Sequence, residues 1–158
     1  MADFSPEQNG IPAVRREAWR ALLDAHAGLI ARVEEALAAD DLPPLSWYDV
    51  LRALHGAEDR ALRPRDLGAA VTITRSGLTR LLDRIEAAGL VERRSCPTDR
   101  RGSWVVLTDA GERTLRQMSP VYDGELEVSF AGLISDEEAG ALSDILGRLG
   151  GCESSSTD

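Results

Sequence analysis

Lysine is absent: all eighteen basic residues are arginine. Cysteine is nearly absent too, and Cys96 and Cys152 alone make no disulfide framework. The two histidines, His26 and His55, fall on different helical stretches without metal-ligand spacing. No Cys-x-x-Cys, His-Glu-x-x-His, phosphate-loop or Gly-x-Ser-x-Gly pattern occurs. Glu34-Glu35 and Asp40-Asp41 read as solvated helix-end charges rather than an acid/base pair. The expectation is therefore no enzyme, no metal and no cofactor. Aromatics are 4%, so the core must come from Leu, Ala, Val and Ile. No apolar run approaches the ~20 residues of a membrane span, and Met1 to Ser5 carry neither a basic start nor an apolar stretch. A cytoplasmic protein without a membrane partner is expected.

What is present points elsewhere. The 158 residues, 43% of them hydrophobic, suit one domain or a small core with helical extensions. The net charge of −9 hides an asymmetry. From Arg60 to Trp104 ten arginines face five acids, whereas the rest of the chain carries eight arginines against twenty-two acids. A basic middle between acidic ends predicts a nucleic-acid face on an acidic scaffold.

Residues 1–12 read as a loose arm. Trp19, Leu22, Leu23, His26, Ile30, Val33 and Leu37 then recur at three- and four-residue steps, predicting a long helix over 13–39 that Asp40 to Pro44 ends. A second helix is expected from Ser46, with Ser46 and Asp49 as a capping pair, Leu45 stapled to Val50, and Val50, Leu51 and Leu54 inward up to Gly56. Residues 62–89 predict two short helices. The first has Pro64 at its start and Leu67, Ala70 and Val71 inward; the second is capped by Thr74 and buries Leu78, Leu81, Leu82 and Ile85 before Gly89 stops it. Its outer face carries Ser76, Arg80 and Asp83, flanked by Thr79 and Arg84, which suits a major groove.

After Gly89 the period changes to two. Leu90 to Arg94 and Gly102 to Leu107 predict a hairpin that gathers Arg93, Arg94, Arg100 and Arg101 for an anionic partner. Thr108 should cap a long helix bearing Leu115, Met118, Tyr122, Leu126, Phe130 and Leu133, kinked or broken at Pro120. Ser135 to Glu138 form a capping box for a last helix with Leu142, Ile145, Leu146 and Leu149, stopped at Gly150-Gly151. Residues 151–158 read as a disordered tail. The fold class is mainly α with a small β-hairpin wing: a winged helix-turn-helix flanked by N- and C-terminal helices.

Three stretches resemble the MarR (multiple antibiotic resistance regulator) family of winged-helix transcription regulators. The run from Thr74 to Leu90 resembles the family's recognition helix, Asp99-Arg100-Arg101-Gly102 its wing signature, and Val105 to Gly111 the strand and helix start that follow. The resemblance covers about residues 13–150. It implies a homodimer with interleaved first and last helices on a pseudo-palindromic operator in double-stranded DNA. In domain terms it implies a dimerisation region over 13–45 and 112–150 and a DNA-binding domain over 46–111. Carried over by position, Thr74, Arg75, Ser76, Thr79 and Arg80 face phosphates and base edges, while Arg94 and Arg100 sit near the wing tip. Asp99 and Arg101 fix the hairpin, with Arg101 also within reach of DNA; Arg84 either joins the DNA face or pairs with Asp83 and Glu86.

The resemblance further implies a small anionic aromatic effector between the dimer helices and the winged domain, with Trp19, His26, Trp47, Tyr48, Asp49 and Arg93 as candidate lining. One subgroup takes urate through a Trp, an Asp and two Arg, and Trp19, Asp49, Arg80 and Arg93 stand at similar positions. That subgroup's long extra N-terminal helix is not seen here. Cys96 beside arginines raises redox sensing, although peroxide-sensing members place their cysteine in the first helix. The expected function is a sequence-specific, ligand-responsive regulator, a repressor by preference. The alternatives are an architectural DNA-binding protein without an effector and a protein-interaction scaffold.

Overall fold

The computed structural model describes residues 10–71, 75–96 and 99–150, and the side chains of 75, 76, 96 and 99–102 lie outside that description. Helix α1 runs Ala13–Ala39, matching the apolar stripe, yet it buries only Val33 and Leu37 against its own chain. The helix ends at Asp40, and Asp41 turns the chain through a left-handed conformation at φ 54°, which a short polar side chain tolerates.

Helix α2 spans Leu45–His55, and its expected capping pair does not form. Pro44 is the N-cap residue and supplies no side-chain hydrogen bond. The Leu45 N–H instead donates to Glu34 Oε1 of α1 at 3.2 Å. A part-buried helix-start donor is thus satisfied by a neighbouring helix, so Asp49 has no capping duty. Tyr48, Val50, Leu51 and Leu54 are buried, as the apolar spacing requires. The Tyr48 ring stacks on Tyr122 of the later long helix, with centroids 4.6 Å apart.

A strand that the pattern did not reveal follows. β1 is only Ala61–Leu62, and it pairs with the return strand of the hairpin, Ala61 opposite Val106 and Leu62 opposite Val105. Helix α3 covers Pro64–Ala70 with Pro64 in its first turn; Leu67 and Val71 are buried, whereas Ala70 faces outward. Helix α4, Arg75–Ala87, buries Leu78, Leu81, Leu82 and Ile85. Thr74, its expected cap, lies outside the described residues. Gly89 closes the helix at φ 74°, a conformation that favours glycine.

Strands β2 (Val91–Cys96) and β3 (Asp99–Leu107) pair antiparallel, longer than the expected strands, with an irregularity between Ser95 and Cys96. The sheet order is β1-β3-β2. Helix α5, Asp109–Ser129, runs unbroken through Pro120, so the expected break is absent. It ends before Phe130, leaving Leu133 in a 3-10 turn over Ala131–Leu133. Helix α6, Asp136–Leu149, opens on the expected Ser135–Glu138 capping box.

The junction of sheet and α5 is tight. Thr108 Oγ1 accepts from the Gly111 N–H at 3.0 Å and donates to the Gly89 carbonyl at 2.8 Å. A Cβ on Gly111 would stand 2.1 Å from the Leu90 carbonyl oxygen. Gly111→Ala must push α5 off the wing base. Denaturant melts should show a loss at or above the ~1–3 kcal/mol typical of overpacking. Thr108→Ala should lose roughly 1 kcal/mol through the missing cap.

Candidate nucleic-acid interface

Amphipathic spacing turns one side of α4 into the core and leaves the other to solvent. Thr79, Arg80, Asp83 and Arg84 are exposed opposite the buried leucines. Among the described residues no carboxylate is within ion-pair distance of Arg80, so its guanidinium is not committed to an ion pair among them. Arg84 lies 5.9 Å from the Trp47 ring centroid, in the range of a cation–π contact, and forms no ion pair with Asp83 or Glu86. Those two acids face β2 instead.

Arg93 explains why. Its Nη2 donates to Asp83 Oδ1 at 2.6 Å, its Nη1 reaches Glu86 Oε2, and its backbone N–H donates to Glu86 Oε1 at 2.9 Å. The planar fork therefore straps the first wing strand to the recognition helix. The hydrogen bond to Asp83 leads the causes that raise the Arg93 pKa. The charge is permanent, and the strap has no acid–base role. Arg94 pairs with Glu92 on its own strand. The expected gathering of four mutually repelling arginines is thus, for these two, a set of neutralised pairs.

Five expected DNA-facing positions extend past the described detail. Thr74 lies outside the described residues; Arg75 and Ser76 open α4, and Arg100 and Arg101 lie in β3, but their side chains are outside the described set, as are those of Asp99 and Cys96. Arg65 went unmarked in the sequence. It is exposed on α3 and lines a cleft of about 320 Å³ with Pro64, Leu78, Thr79, Leu82 and Arg93. Its signal was available as a basic residue on the helix that precedes the turn. Arg63 covers the Trp104 ring of β3 at 5.2 Å.

The expected effector residues do not converge on one place. Trp19 and His26 project from the exposed part of α1, Trp47 meets Arg84, Tyr48 is buried against Tyr122, and Arg93 is held in its strap. Of the six only Asp49 lines the cavity between α1, α2 and α5, about 320 Å³ in volume, with Leu29, Ile30, Val33, Leu45 and Tyr122 among its neighbours. Burial pushes the Asp49 carboxyl up, Arg52 pulls it down, and Glu34 pushes it up. Folding therefore favours its neutral form. Stability is gained as pH falls through the raised folded pKa and is reduced above it. Of the four positions of the urate arrangement, Asp49 alone is among the described lining residues of that cavity. Among the described residues no cluster of three His, Cys, Asp or Glu side chains could hold a metal ion. No helix among them is long and apolar enough to cross a membrane.

A helix-turn-helix with an exposed arginine on its second helix, followed by a β wing, defines the winged class of DNA-binding proteins. A family profile described as MarR family matches residues 40–102. The transcriptional regulator HosA of Escherichia coli O111:H- is 35% identical over 100 residues, covering 62% of this chain and 72% of HosA. The transcriptional repressor MprA of E. coli K12 is 31% identical over 91 residues, 58% of this chain and 52% of MprA, so the match spans about half of that relative. Sco3205 of Streptomyces coelicolor, a MarR family regulator solved in complex with DNA, superposes with TM-score 0.85 at 28% identity, covering 93% of each chain. The chain belongs to the MarR family of transcriptional regulators.

Removing the strap should loosen the wing without unfolding the core. The groups involved are partly exposed, so Arg93→Ala should cost no more than about 1 kcal/mol globally. Amide hydrogen exchange in Val91–Arg94 should speed up, while that of α2 stays slow.

Proposed function

We propose that the protein is a homodimeric transcriptional repressor that reads a pseudo-palindromic operator and is released by a small molecule. The observation that carries the DNA-binding part is the exposed Arg80 on α4, held outward by the buried Leu78, Leu81, Leu82 and Ile85 and without an ion pair among the described residues. On this reading α4 enters the major groove, with Arg80, Thr79 and the α4 start (Thr74, Arg75, Ser76) at base edges and phosphates. Arg84 and Arg65 flank it on the backbone. Arg94, Arg100 and Arg101 follow the wing, and Asp99 fixes the wing tip. The repressor name of MprA and the DNA complex of Sco3205 support the same reading.

Unpartnered apolar surface supports the dimer. Val14, Trp19 (60% exposed), Leu23 and Ile30 on α1 face outward, as do Leu126 and Val128 on α5 and Ile145, Leu146 and Leu149 (68% exposed) on α6. Isolated exposed leucines need no explanation, but two helices showing their apolar stripes do. A second copy covering residues 13–45 and 112–150 would complete the core and leave residues 46–111 to bind DNA. The small molecule would enter the α1–α2–α5 cavity, whose volume falls within the ~300–1,000 Å³ range of ligand pockets. Tighter binding to a DNA-incompetent arrangement is sufficient for release.

Binding to the duplex upstream of the protein's own gene, compared with random duplex across several salt concentrations, tests the reading. A steep salt slope with sequence preference is expected. Equal weak binding to both duplexes would favour an architectural role, and no salt-dependent binding a scaffold. Arg80→Ala should lose about 1–3 kcal/mol of discrimination, whereas Arg94→Ala should weaken both duplexes alike and lower the salt slope by roughly one. Sedimentation should report a dimer, which Trp19→Glu combined with Leu149→Glu shifts toward monomer.

A further inference from the structure

The charged groups that line the α1–α2–α5 cavity are, among the described residues, of one sign. Its walls are Leu29, Ile30, Val33, Leu45, Leu126 and Phe130, with Tyr122, Ser129, Asp49 and Glu125 as the polar lining among the described residues of the chain. No basic side chain among them lines it. The two carboxylates differ in how far they are satisfied. Glu125 Oε1 accepts from the Ser129 hydroxyl and lies 3.7 Å from Arg32 Nε. Asp49 is half-buried and takes part in no hydrogen bond or ion pair among the described residues. Arg52, on its own helix, affects it only at a distance, and Glu34 across on α1 repels it. A carboxylate desolvated without a partner is an unfavourable arrangement that a cationic donor would relieve. A ligand carboxylate would instead meet Asp49 and Glu125 in an apolar cavity and be repelled by both.

We infer that this cavity takes a compact apolar cation, an aryl or alicyclic body carrying one protonated amine set against the Asp49 carboxylate. The family resemblance implies an anionic aromatic; the charge of this cavity points the other way. The inference rests on the proposed reading of the cavity as the effector site. It assigns the amine to Asp49, the apolar body to the leucine, isoleucine and phenylalanine walls, and a lesser role to Glu125, whose oxygen is already held.

Three indole compounds of nearly equal body separate the charges: tryptamine as the cation, tryptophol as the neutral alcohol and indole-3-propionate as the anion. Calorimetric titration of the full chain should show tryptamine binding most tightly and indole-3-propionate least. Asp49→Asn should weaken tryptamine by roughly ten-fold through loss of a charge-assisted hydrogen bond. The same change should leave tryptophol within about two-fold, because no charge is lost in that pair. Glu125→Gln should weaken tryptamine less than Asp49→Asn. The wild-type ranking of the three compounds needs no variant, so a misfolded variant does not blunt the test. Tighter binding of indole-3-propionate, no binding of any of the three, or an Asp49→Asn protein that holds tryptamine as well as wild type would each overturn the inference. Tryptamine that binds through Asp49 yet fails to release DNA would support the cavity assignment and overturn only its role as effector site.

Discussion

Everything in this fold is arranged around the burial of one short helix. α2 is eleven residues long, and Val50, Leu51 and Leu54 are wholly removed from solvent. It packs against α1, α3, α4, α5 and both β1 and β3, so each of those elements takes its position from the same apolar surface. Densely packed interiors transmit displacement rather than absorb it. One side of α2 brings Leu45 and Asp49 to the cavity, and Trp47 on the same helix lies beneath Arg84 of the recognition helix. On the proposed reading, the cavity and the DNA-facing helix are therefore both reached from a single element.

Electrostatics then sorts the arginines. An acidic scaffold with no lysine could have neutralised its basic middle completely. Arg60 is tied to Glu112 and Arg93 to Asp83 and Glu86, pairs that pin the start of β1 and strand β2 to α5 and α4, while Arg94 and Glu92 neutralise each other within β2. Exposed pairs of this kind add little stability; their value is geometric, because a guanidinium fork holds direction as well as distance. Arg80 and Arg65 are left without an ion pair among the described residues, and both face away from the core. Like charges held outward without partners suit a polyanion, whose counterion release supplies the binding free energy.

The opposite incompleteness marks the helices at the ends of the chain. α1 buries two residues in twenty-seven positions, and α6 buries none. A helix of α6's length is marginal in water without tertiary contacts. Its apolar stripe and capping box are consistent with a partner surface that completes the packing. Incomplete packing at the ends and a complete core in the middle suit the proposed division of the chain between assembly and DNA recognition.

Periodicity and caps were enough to read α1, α4, α5, α6, the hairpin and the inward faces of Leu51, Leu67, Leu82 and Ile85, because each depends on neighbours within one or two turns. Thr108 and Ser135 cap as their local sequences require. Outward placement of Arg80 followed from the same period. β1 escaped because two residues carry no period of their own and exist only through pairing with β3. The α2 start escaped because its donor is met by Glu34, eleven residues away on another helix. Pro120 did not break α5, so the ring's local cost was met within a packed helix. Only the tertiary structure could turn Arg93 from a free cation into a strap, disperse Trp19, Trp47 and Tyr48 to separate surroundings, and leave Asp49 without an ion pair among the described residues. A sequence determines what each residue can offer along its own element; which charges meet and which remain alone depends on distances between elements, and those exist only once the chain has packed.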